Sequence, residues 1–77
     1  MNTAEEINAL LVSKFGADPL AIRAEVPLRQ LHMDSLALEE LRLLIEDRMK
    51  VDLEDVSLTS RDTVGQLVAA VHSKTAA

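Results

Sequence analysis

Ser35 is the residue of this sequence best placed to do chemistry. It follows Asp34 directly and stands before a stretch, 36–49, whose apolar residues recur at helical spacing. A serine at the start of a helix faces unpaired backbone N–H groups and the positive end of the helix dipole. It can carry a phosphate there without a basic side chain. The same place is also the ordinary one for a capping Ser or Asp, and position alone favours capping. Nothing nearby makes Ser35 a catalytic nucleophile. His32 lies three residues before it, but no acid–His–Ser spacing accompanies the two. The chain has no cysteine, so disulfides, thiol catalysis and Cys-ligated metals are excluded. No paired carboxylates or metal ligands stand at usable spacing, so the reading expects no catalytic residue, no metal and no enzyme.

The helix that begins near Asp34 and Ser35 is expected to run to about Met49. At about 100° per residue, Leu38, Leu41, Ile45 and Met49 form a core stripe. Leu36, Glu40, Leu43 and Asp47 fall on the opposite side, flanked by Glu39 and Glu46. Two exposed leucines ringed by carboxylates suit a docking surface for apolar and basic groups. A solvated acidic face with incidental leucines fits the same pattern. Arg42 can pair with Glu39 or Glu46, at tenths of a kcal/mol. Arg48 finds no carboxylate at position 44.

The remaining elements must hold this helix. A first helix over about 4–15 is expected, with Thr3 and Glu6 as a capping box, Ile7, Leu10, Leu11 and Phe15 as its apolar face, and Gly16 as its C-terminal cap. A long connection over roughly 16–33 follows, where Asp18-Pro19 can open a single helical turn. Its residues Leu20, Ile22, Val26, Leu28 and Leu31 are expected to pack on the core, and Met33 and Met49 are read as packing residues. A short helical turn is expected around 55–59. A last helix, capped by Asp62 or Thr63, buries Val64, Leu67, Val68 and Val71, with His72 complementing the dipole near its end. The sum is an all-α fold, a small four-helix bundle of three main helices and one short third helix.

The chain has 77 residues, enough for one domain spanning 1–77, with 74–77 expected to be a disordered tail. It begins with Met and is expected to be complete, cytoplasmic and monomeric. The net charge is −5 and Phe15 is the only Phe, Tyr or Trp. Both features argue against nucleic acid, which asks for basic patches and stacking rings. No apolar run approaches a membrane span, and no signal peptide is visible.

The string Leu31-His32-Met33-Asp34-Ser35-Leu36 resembles the Leu-Gly-x-Asp-Ser-Leu signature of acyl carrier proteins. Pro27-Leu28 upstream, Glu40-Leu41 downstream and Thr63-Val64 before the last helix are similar too, so the resemblance covers nearly the whole chain. It implies a 4'-phosphopantetheine arm, attached to Ser35 from coenzyme A by a phosphopantetheinyl transferase and carrying acyl groups as thioesters. It implies Asp34 and Leu36 beside the arm. It places Leu36, Glu40, Leu43, Glu46 and Asp47 on the face used by acyl-loading, condensing or tailoring enzymes with basic patches, the face that Glu39 flanks on the helical wheel and is expected to share. Two departures stand out. His32 replaces the usual Gly and could contact the phosphate or be a plain loop histidine. Ala37 replaces a common acid which, with Arg42, favours a discrete carrier of polyketide or related natural-product synthesis over a fatty-acid one. A peptidyl carrier, or a helical interaction module in which Ser35 only caps a helix, are the alternatives.

Overall fold

The computed structural model describes residues 2–75. Three α-helices, α1 (Thr3–Phe15), α2 (Ser35–Met49) and α3 (Val64–Thr75), are joined by connections that are themselves part of the core. Among the described residues there is no strand, only an isolated antiparallel bridge between Pro27 and Thr63. No described helix is long and apolar enough to cross a membrane.

α1 starts one residue earlier than expected. Asn2, not Thr3, is its cap, accepting the Glu5 N–H at 2.8 Å. Asn caps at least as well as Thr. Gly16 ends the helix at φ 69°, the left-handed region that favours glycine. α3 opens on a reciprocal box: the Thr63 hydroxyl accepts from Gln66 N–H and the Gln66 side-chain Oε1 accepts from Thr63 N–H. α3 also takes in Lys74 and Thr75, which the sequence suggested were part of a disordered tail; Ala76 and Ala77 lie outside the described residues.

Each helix turns one stripe inward: Ile7, Leu10 and Leu11 from α1, Leu38, Leu41 and Ile45 from α2, Val64, Leu67 and Val71 from α3. Burying such side chains is the main favourable term, about 1.5–3 kcal/mol each. Val68 and Met49, expected in the core, are half-buried at its edge.

The long connection after α1 packs through Val26, Leu28, Leu31 and Met33, all buried. It forms two short 3-10 turns, Pro19–Ala21 and Leu28–Leu31. Leu20 is the exception, 86% exposed, because the Asp18 carboxylate caps the turn by taking the Leu20 N–H and leaves that side chain outward. The connection is laced to the start of α3. Leu28 N–H donates to Asp62, Arg29 N–H to Ser60, and Val64 N–H to Val26, all within 2.8–2.9 Å. Gly65 completes this seam: a Cβ there would lie 3.0 Å from the Ala24 carbonyl oxygen.

The segment between α2 and α3 corrects the four-helix expectation. Residues 50–63 contain turns, a bend and the Thr63 bridge, and no helix forms at 55–59. Side chains satisfy its backbone instead of a helical ladder. Glu46 accepts the Leu53 N–H at 2.7 Å, Asp52 the Glu54 N–H at 2.9 Å and Asp62 the Thr59 N–H at 3.0 Å. Leu53 is fully buried, so the segment is pinned to the bundle at its middle.

Two ion pairs tie distant elements. Arg48 reaches α1 and bonds Glu6 at 2.6 Å. Lys74 bonds Asp55 at 2.7 Å and holds that carboxyl below the usual carboxylate range.

Candidate functional site

The site is built at the head of α2. Asp34, in extended conformation, accepts the Ala37 N–H on its carboxylate at 2.8 Å, and its carbonyl accepts the Leu38 N–H at 2.9 Å. Asp34 is therefore the cap, and Ser35 is the first helical residue, exposed. The N–H groups of Ser35 and Leu36 find no acceptor among the described residues. They stand at the positive end of a 15-residue helix, where a phosphate ester on the serine would be stabilised without a cation. No side-chain base lies within hydrogen-bond distance of the Ser35 hydroxyl among the described residues. The geometry offers an attachment point, not an activated nucleophile.

The approach to Ser35 is held by packing and backbone hydrogen bonds. Met33 is buried, and its N–H donates to the Leu28 carbonyl at 3.3 Å. His32 sits at φ 62°, ψ 30° and closes the preceding 3-10 turn, donating its N–H to Arg29. The backbone thus keeps the left-handed turn that a glycine would adopt freely. A side chain there costs about 1–2 kcal/mol, partly offset by the larger entropy glycine loses on folding. His32→Gly is expected to stabilise the fold by about 0.5–1 kcal/mol, read as a rise in urea midpoint. A drop would show that the imidazole makes a contact outweighing the backbone strain. His32 borders a shallow cleft with Arg29, Met33, Asp34 and Ser60.

An open groove of about 810 Å³ begins at Ser35 and runs between α2 and residues 54–60. Its apolar lining comes from Leu38, Val56 and Leu58, its hydroxyls from Ser57, Thr59 and Ser60, and its charges from Glu39, Arg42 and Glu54. Arg42 bonds Glu39 through both Nε and Nη2. This hydrogen bond holds Glu39 below the usual carboxylate range and raises Arg42 further above its own.

The sequence-predicted face of α2 divides in two. Leu36, 70% exposed, and Leu43, 53% exposed, lie outward with Glu40 and Asp47. Glu39 is turned to Arg42, and half-buried Glu46 to the Leu53 N–H. The groove wall at 54–60 and the Arg42 position in it were not foreseen, since that wall has no periodic signal.

Asp34 as cap separates two roles that the sequence left open. Asp34→Ala is expected to cost about 1 kcal/mol, measured by thermal unfolding. A neutral result would mean that the helix start is held by packing alone.

No curated protein and no solved structure matches the chain. The family model for the phosphopantetheine attachment site matches residues 5–71. That span takes in all of α2 with its exposed leading serine, the pinned loop before it and the groove beside it. The chain therefore belongs to the phosphopantetheine attachment site family, a carrier of 4'-phosphopantetheine and not itself an enzyme.

Proposed function

We propose that Ser35 is the attachment residue and that the protein is an acyl carrier acting as a single carrier domain in polyketide or related natural-product assembly, in the cytoplasm. The observation that carries this reading is the exposed Ser35 hydroxyl, heading α2 and opening onto the groove. The residues present suit the group. Asp34 orders the helix start, the Ser35 and Leu36 N–H groups would be open to the arm's phosphate, and Leu38, Val56 and Leu58 line the groove that an arm or its cargo would use. When attached, the arm supplies a thiol that holds acyl groups as thioesters.

Leu36, Glu40, Leu43 and Asp47 form the docking face, with Glu39 at its groove edge and Glu46 on its flank, bonded to the Leu53 N–H. Apolar contact at the two leucines and attraction to a basic patch give fast, weak and reversible encounters. The partners are a phosphopantetheinyl transferase and the loading, condensing or tailoring enzymes. Ala37 and Arg42, which make α2 less acidic, support the natural-product assignment over fatty-acid synthesis.

The test is incubation with coenzyme A, Mg²⁺ and a broad-specificity transferase, followed by intact mass and fragment mapping. One added phosphopantetheinyl group on Ser35 is expected. The loaded protein should then accept acyl units from acyltransferases and refuse aminoacyl units from adenylating enzymes. Charging with amino acids instead would make it a peptidyl carrier.

A further inference from the structure

The groove beside Ser35 is polar where a simple alkyl slot would be apolar. Arg42 stands seven residues after Ser35, about 10 Å along the helix axis, in a wall whose apolar members are few. Its guanidinium is held from two sides. Nε and Nη2 both donate to Glu39, and Nη1 lies 3.7 Å from Glu46 Oε2. Glu46 is itself fixed by the Leu53 N–H at 2.7 Å, so Arg42 is positioned before any cargo arrives. The 3.7 Å separation is beyond hydrogen-bond reach. The Nη1 hydrogens therefore have no acceptor among the described residues, and the side chain is only 21% exposed.

Resting on attachment of the arm at Ser35, we propose that this groove prefers acyl cargo bearing a neutral oxygen acceptor, a keto or hydroxyl group, over a saturated chain of equal length. Arg42 is the residue that sets the preference. Three chemistries meet different fates against it. An alkyl chain laid along the wall strips water from a charged pair and gives no hydrogen bond in return. A carboxylate-bearing chain meets Glu39, Glu46 and Glu54 around a single arginine, and like charges repel it. A neutral keto or hydroxyl oxygen accepts from Nη1, a charge-assisted bond, without disturbing the bonds to Glu39. Beyond Leu38 the groove thus rewards oxygen and penalises methylene.

The experiment loads the protein with octanoyl- or 3-oxooctanoyl-phosphopantetheine from the matching coenzyme A thioesters, with stoichiometry on Ser35 verified by mass. The two loaded forms are compared with the acetyl form by thermal unfolding and by NMR of the Arg42 Nε–H and the Leu38, Val56 and Leu58 amides. The 3-oxo chain is expected to raise the midpoint and shift the Arg42 signal, while octanoyl does neither. Arg42→Met, which keeps the stem and removes the charge, is expected to abolish the oxo-specific shift and let octanoyl raise the midpoint. Equal shifts from both chains in the unsubstituted protein overturn the proposal, as do no shifts from either. So does an Arg42→Met protein that keeps the preference; should that variant misfold, the comparison in the unsubstituted protein decides alone. Absence of loading at Ser35 is seen in the mass before any comparison. It overturns the attachment reading and this proposal with it.

Discussion

Ser35→Ala is expected to abolish the phosphopantetheinyl mass gain completely while moving the unfolding free energy by no more than about 0.5 kcal/mol. The two halves come from separate features. On the proposed attachment, the Ser35 oxygen would bond to the phosphorus of coenzyme A's pantetheine phosphate, and the nucleotide half of coenzyme A would leave. Alanine has no oxygen to form that ester. The fold, in contrast, does not use the hydroxyl. Asp34 supplies the cap, Ser35 is exposed, and its side chain bonds nothing among the described residues. Alanine is also the better helix former at that position. The measurement is intact mass after the transferase reaction, beside a urea melt of the same protein. A mass gain that survives the substitution would move the attachment site to Ser57 or Ser60, whose hydroxyls line the same groove. Loss of stability by a kilocalorie or more would mean that the serine, and not Asp34, holds the helix start.

Leu53→Ala is expected to cost about 2–5 kcal/mol, the range for truncating a fully enclosed leucine. Domains of this kind are stable by about 5–15 kcal/mol in total, so the variant would sit near the edge of folding. Leu53 is the only fully buried residue of the 50–63 segment. Its N–H is taken by Glu46, and its carbonyl accepts from Val56 N–H at 3.0 Å. The segment carries no helical ladder of its own, so this side chain is the deepest anchor of the groove's far wall, beside half-buried Val56 and Leu58 and the Lys74–Asp55 pair. Where the variant still folds, amide exchange at 54–60 should quicken well before exchange in α1 or α3. The check is a urea melt together with hydrogen exchange. A cost below about 1 kcal/mol, with exchange at 54–60 unchanged, would show that the wall is held elsewhere.

The local elements were legible in the residues themselves. The spacing of Leu38, Leu41 and Ile45, the Asp34-Ser35 start, the Gly16 stop and the outward leucines at 36 and 43 all reappear in the structure. Such signals are carried by neighbours three and four residues apart, which one helix brings together whatever surrounds it. The Arg42–Glu39 pair belongs to the same class. The choice of cap was less secure, because Asn2 and Thr3, or Asp34 and Ser35, are adjacent residues that can do the same work. The structure selects Asn2 and Asp34.

What only the tertiary structure decided lies across the chain. Arg48 had no partner on its own helix and finds Glu6, far away in α1. Glu46 looked like part of an exposed acidic face and instead holds the Leu53 N–H. The 55–59 stretch looked able to form a helix, yet it stays irregular, with Leu53 buried just before it and Asp62 taking the Thr59 N–H at its end. His32 takes a left-handed backbone because Leu31 and Met33 on either side are both drawn into the core. The groove, and the unclaimed hydrogens of Arg42 within it, exist only once that wall is set against α2. Residue order determined the serine, its helix and the charge around it, since each depends on near neighbours. The space beside the serine depends on which distant apolar side chains are buried together, and no local pattern encodes that.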